Sequence, residues 1–228
     1  MSSTTQGPAT KGSKFQLQRI VAERGNEFGD LLLNSSVSLL ASGGTSVEWR
    51  SPIKEDSKGA YYEYRDDFLT ALDLARHTPS LREFWPKNGP QWDGLGIVTG
   101  GSGPGYLLVE AKAHPDETKS HSGATAKESV DQVAASVRRT QEFMGVEPAD
   151  WTRDHYQLAN RLCLLYFMNE IAHEPTWLLL VNFVNDTSHK PTTAREWVSH
   201  YGGLFRRMRI GPNARLLDRV VMVAPEAG

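Results

Sequence analysis

Two carboxylates and an ammonium flank a glycine-rich link in this chain: Asp93 lies before it, and Glu110-Ala111-Lys112 lies after it. Two carboxylates that converge on one point form a hard-oxygen site suited to Mg²⁺, with Mn²⁺ as a substitute, and such an ion leaves positions open for water and a substrate phosphate. A divalent ion there stabilises charge developing on a phosphate oxygen and lowers the pKa of an attacking water. A neighbouring ammonium orients that nucleophile or offsets charge. Phosphodiester hydrolysis is the reaction this set of residue types fits.

The flanking segments have to bring these groups together. Trp92 to Val98 is short and rich in β-formers, and Tyr106 to Ala113 is a longer apolar run. Between them stand Gly100, Gly101, Gly103, Pro104 and Gly105, a turn composition. The reading is a β-hairpin. With side chains alternating along the second strand, Leu108, Glu110, Lys112 and His114 share one face, while Leu107, Val109, Ala111 and Ala113 take the other. Pairing about the middle of the glycine run sets Asp93 opposite Glu110 or Ala111. One register makes an Asp, Glu, Lys cluster; a slip of one residue sends Asp93 to the far side.

Asp93 followed by Glu110-Ala111-Lys112 closing the next strand resembles the PD-(D/E)XK, or restriction-endonuclease-like, nuclease superfamily. That resemblance implies a Mg²⁺-dependent nuclease acting on DNA, with Asp93, Glu110 and Lys112 as catalytic residues and the Ala111 carbonyl as a further metal ligand. It also implies a core of a helix, three strands, a helix and a fourth strand. Tyr62 to His77 is expected to be the first core helix, carrying Glu63 to the metal ahead of its neighbours Asp66 and Asp67. The segment Leu81 to Trp85 is the candidate first strand, and the proline of the motif is Pro90, three residues before Asp93. Glu117-Thr118-Lys119 repeats the Glu-x-Lys spacing, but it stands in a polar run with no strand to hold it and is set aside.

Bulk properties bound these readings. A chain of 228 residues suits one large domain: residues 1–13 are expected to be a disordered polar tail and 14–228 a single domain. The one cysteine, Cys163, excludes an internal disulfide framework and cysteine-ligated zinc. No apolar signal-peptide core or membrane-length apolar run is evident, so the expected setting is cytoplasmic with no membrane contact. The net charge of -2 speaks against a protein whose main task is gripping nucleic acid. The alternative from a different class is therefore a catalytically inactive protein of the same fold that binds nucleic acid or a protein partner.

The remaining chain reads as α/β. Helical periodicity runs from Lys14 to about Leu40 with a break at Gly25, over Ala126 to Met144, over Asp154 to Ala172, and after the capping box Thr193-Ala194-Arg195-Glu196. Strands are expected at Thr45 to Ile53, Trp177 to Val184 and Val220 to Val223. The expected whole is a central mixed sheet flanked by helices, a restriction-endonuclease-like core with N- and C-terminal helical additions. Residues 154–172 are apolar all round in the middle, so that helix must run through the interior. Gln157 and Arg161 are neighbours on one side of it, with Asn160 beside them. Polar groups carried inward need partners, and an acidic pocket is one place to find them. His114, Gln157 and Arg161 are accordingly candidate supporting or substrate-binding residues, His114 through the face it shares with Glu110 and Lys112. Arg206, Arg207, Arg209, Arg215 and Arg219 form a basic stretch, read as a solvated face or a phosphate-tracking edge.

Overall fold

The computed structural model describes residues 4–55 and 60–228. Its centre is a five-stranded mixed sheet in the order β2-β5-β6-β7-β8, formed by β2 (Ser46–Ser51), β5 (Gly94–Thr99), β6 (Gly105–Lys112), β7 (Thr176–Asn182) and β8 (Val220–Val223). β2, β5 and β6 run antiparallel, while β7 and β8 lie parallel to β6 and to each other. The α/β class and the central mixed sheet flanked by helices are thus present.

Alternation along the strands divides the core in two. Leu95, Ile97, Leu108, Leu178 and Leu180 face one apolar cluster, covered by α4 (Thr78–Phe84), α5 (Lys127–Met144), α6 (Tyr156–Tyr166) and α7 (Ala194–Arg207). Leu107, Val109, Ala111, Leu179 and Val181 face the other, covered by α1 (Gly12–Leu33). Every residue of β6 and β7 is therefore buried, as expected of central strands packed on both faces.

Local signals set most of these elements. The link between β5 and β6 needs its glycines: Gly100 has a φ of 92° and a Cβ there would strike Thr45. α5 stops at Gly145, in the left-handed conformation with φ 69°. α7 opens on the expected box, with the Thr193 hydroxyl accepting from Glu196 N–H and the Glu196 carboxylate accepting from Thr193 N–H. α1 is kinked at Arg24, beside the expected break at Gly25, and the short α2 (Val37–Ala41) follows it. Beyond α6 the chain continues as a π-helical turn, Phe167–Ile171.

Three expectations change. Tyr62 to His77 is not one helix: β4 (Ala60–Glu63) ends there, and only α3 (Phe68–Ala71) and a 3-10 turn (Ala75–His77) follow, separated by Asp73 at φ 61°. The stripe Phe68, Leu69 and Leu72 is buried as read, but a left-handed residue ends a right-handed helix. Leu81 to Trp85 is not a strand, because α4 covers it with Pro79 in its first turn; β2 takes the place beside β5. Of the residues read as a tail, Thr4–Gln6 form β1, antiparallel to β4 in a second, three-stranded sheet β1-β4-β3, where β3 is Lys54–Glu55. Residues 1–3 lie outside the described part. Among the described residues no helix is long and apolar enough to cross a membrane.

Candidate active site

The hairpin register decides the site. Gly94 pairs with Val109, so the next pair outward is Asp93 with Glu110, and directly opposite residues project from one face. Of the two open registers, the chain adopts the one that groups the acids. Asp93 N–H donates to the Val109 carbonyl (3.1 Å) and its Oδ2 accepts from Ala111 N–H (2.8 Å). Two residues on from Glu110, Lys112 turns back to the same point, and its ammonium bonds Glu110 Oε1. Glu110 and Lys112 are buried, at 4% and 7% exposure; Asp93 remains partly open to a cleft of about 500 Å³.

α6 supplies the second cation. Its apolar middle drives it through the core, and Arg161 goes with it, 4% exposed. Nε and Nη2 of Arg161 reach Glu110 Oε2 at 2.7 and 2.5 Å, Nη2 also donates to the Gln91 carbonyl (2.6 Å), and Nη1 to Asn160 Oδ1 (2.8 Å). The guanidinium carbon lies 4.6 Å from the centre of the Trp92 ring. A buried guanidinium with oxygens on three sides and an aromatic face beneath it is held in one geometry. The acidic-pocket reading of Arg161 is thus realised as a direct contact.

These charges set one another. Burial would raise the Glu110 carboxyl, yet Arg161 and then Lys112 hold it below the ordinary glutamate value. Burial works against the Lys112 ammonium, but Glu110 and then Asp93 outweigh it and keep its pKa above that of a free lysine. Asp93 lacks such compensation: burial, and then the Glu110 charge, push its carboxyl up to about 7 against the pull of Lys112, the Ala111 N–H and Arg161. A raised folded-state pKa means that Asp93 contributes fully below its unfolded value near 4 and that this contribution is lost as pH rises through about 7. In metal-free buffer Asp93→Asn, whose amide oxygen still accepts from Ala111 N–H, is expected to stabilise the protein at pH 8 by about 2 kcal/mol. This discounts the full linkage of roughly 1.4 kcal/mol per pKa unit for solvent at the cleft. At pH 4 the gain should vanish. Melting curves at both pH values check this, and equal curves at pH 8 would show that Asp93 carries no such penalty.

The other candidates divide. Glu63 lines the cleft and is buried, but it comes from β4 and not from a helix. Its carboxylate is held by Lys14 at 2.5 Å and by the Gln91 amide. Among the described residues no three His, Cys, Asp or Glu side chains group as a metal site. Asp93 and Glu110 are the two carboxylates that the hairpin register sets opposite each other, while Glu63 is held apart from them by Lys14 and Gln91. Gln157 and Asn160 line the cleft. His114 does not: β6 ends at Lys112, period-two alternation ends with it, and the imidazole turns to accept from Asp116 N–H (3.2 Å) and cap the turn Pro115–Thr118. Residues that the sequence reading set aside take its place. Glu117, Lys119 and Ser120 line the cleft, because the Glu117 carboxylate is pinned by Ala113 N–H (3.2 Å) and the Ser13 hydroxyl (3.0 Å). The second Glu-x-Lys triplet was the available signal, and a hydrogen-bonded turn holds it where no strand does.

Compared with known proteins, the chain matches no protein-family model, no curated protein and no solved structure.

Proposed function

We propose that this chain is a Mg²⁺-dependent nuclease of the restriction-endonuclease-like fold that hydrolyses phosphodiester bonds in DNA. The observation that carries the reading is the pairing of Asp93, which lines an open cleft, with Glu110 behind it, Lys112 being bonded to the Glu110 carboxylate. Element order supports it: α1, then the antiparallel β2, β5 and β6, then α5, then β7 parallel to β6. With β3, β4, α3 and α4 between β2 and β5 and α6 before β7 taken as insertions, this order agrees with the helix, three strands, helix and strand that the resemblance implies, α1 and β2 standing in for Tyr62 to His77 and Leu81 to Trp85.

Asp93 and Glu110, with the Ala111 carbonyl, would hold the ion. When bound, Mg²⁺ supplies neutralisation of phosphate charge and a more acidic attacking water. Glu110 fixes the Lys112 ammonium beside Asp93, where it orients the nucleophile or offsets charge on the phosphate. Arg161 holds Glu110 from behind and, through Gln91, ties the segment leading into β5 to α6. One observation favours the non-catalytic alternative, a nuclease-fold protein that binds nucleic acid or a partner: both Glu110 oxygens already have cationic partners.

Incubation of the purified protein with plasmid and with single-stranded DNA, in Mg²⁺, in Mn²⁺ and in EDTA, decides between them. The expected result is metal-dependent cleavage that Asp93→Asn removes. Intact DNA in every metal, or cleavage indifferent to EDTA and to Asp93→Asn, leaves the binding-protein reading in possession.

A further inference from the structure

A cationic cluster adjoins the cleft on its α7 side. Ser120 and His155 form a bridge between extended segments, and Ser120 Oγ accepts from Gln157 N–H (2.7 Å), so His155 stands directly beside cleft-lining Ser120, Tyr156 and Gln157. Arg207, in the last turn of α7, donates from Nε to His155 Nε2 (3.2 Å). His200, on the same helix, meets the buried Thr118 hydroxyl at 2.8 Å. That hydroxyl already donates to the Pro115 carbonyl, so His200 Nε2 is the donor in the contact. Lys119, largely exposed, extends from the next residue into the cleft wall.

Three features mark this cluster as more than a solvated face. Among the described residues no carboxylate pairs with Arg207; its partner is an imidazole. Burial, then the Arg207 guanidinium, holds both His155 and His200 below the ordinary histidine value and favours their neutral form, so the positive charge here belongs to Arg207 and Lys119. The middle of α7 also carries Gly202 and Gly203, residues that weaken a helix by roughly 1 kcal/mol each relative to alanine. A Cβ at Gly203 would lie 3.2 Å from Arg207 Nη1, so its absence lets the guanidinium lie back along the helix toward His155.

We infer that Arg207 and Lys119, with Arg207 positioned by His155 and the turn at Thr118 held by His200, form a phosphate-binding subsite for the polynucleotide backbone, continuous with the cleft and holding a phosphate next to the one that is cut. The inference rests on the reading of the ligand as DNA, and it places contacts for substrate outside the acid cluster on a face whose charge is complementary to phosphate. It suggests how a chain of net charge -2 takes an anionic substrate: positive charge is concentrated locally, with Arg207 bonded to an imidazole and Lys119 sharing the exposed Asp116 carboxylate.

Fluorescence anisotropy of short labelled single- and double-stranded oligonucleotides in EDTA, over a salt series, tests it without cleavage. Arg207→Gln should weaken binding about fivefold to tenfold and lower the salt slope by about one phosphate contact. Arg207→Lys should recover most of the loss, and Arg138→Gln on α5, outside the cleft lining, should change nothing. Melting curves establish that each variant is folded. Unchanged affinity and slope for folded Arg207→Gln, or a wild-type protein that binds neither oligonucleotide, overturns the subsite. Cleavage by the wild type in Mg²⁺, scored separately, reports on the nuclease reading. A protein that binds through Arg207 but does not cut keeps the subsite and loses the nuclease.

Discussion

Lys112→Met is expected to reduce DNA cleavage by about three orders of magnitude, the scale on which a single preorganised charge at a reacting centre acts, while the protein stays folded. A surface lysine at a strand end could be cut back to alanine without cost, but Lys112 is buried and bonded to Glu110. Alanine would leave a void as well as a lost charge. Methionine keeps the apolar stem, and Glu110 retains Arg161 as counter-charge, so the stability cost should be about 1–2 kcal/mol. Single-turnover cleavage of plasmid beside thermal melting separates the two effects. Wild-type cleavage by a folded Lys112→Met protein would remove the ammonium from the reaction.

Arg161→Leu should give the largest loss of stability in the molecule. It strips Glu110 Oε2 of its guanidinium inside a low-dielectric core, and breaking a buried pair from one side costs about 3–5 kcal/mol because the other charge remains. The Gln91 carbonyl and Asn160 lose a donor at the same time. For a chain of this size that is a fall in melting temperature of about 6–20 °C. The double variant Arg161→Leu with Glu110→Leu removes the stranded carboxylate and should recover most of the loss, as a coupling of about 2 kcal/mol or more in a double-mutant cycle. If Arg161→Leu melts within about 2 °C of the wild type, the contact contributes little and α6 does not anchor the site.

These two predictions could not have been written with the same substitutions from sequence. Lys112 reads there as a strand-end charge that faces the site and contributes little to packing, whereas in the fold, with β7 alongside β6, it is buried. Arg161 could be assigned to a buried pocket or to an exposed first turn. Its helix begins at Tyr156, so Arg161 stands more than a turn inside, already within the apolar stretch. The metal set shows the same limit. The resemblance sets Glu63 on a first core helix, but a strand paired locally with β3 and, across almost sixty residues, with β1 carries it to the cleft instead.

What the sequence by itself determined is local. The glycine turn, the alternation of β6, the stop at Gly145, the box at Thr193 and the final strand Val220–Val223 are all written in adjacent residues, where backbone sterics and period decide the outcome. The candidates Asp93, Glu110 and Lys112 were legible for the same reason, because one hairpin holds them. The tertiary structure alone decided which register the hairpin takes, that β2 and not Leu81 to Trp85 flanks it, that His114 turns away while Glu117 and Lys119 turn in, and that Arg161 and Arg207 reach their partners. The turn that redirects His114 and Glu117 is closed within four residues, but the place of β2 and the partners of Arg161 and Arg207 depend on contacts between segments tens of residues apart, whose energies come from burial and from charges meeting in a low-dielectric interior. No window of neighbouring residues contains that information.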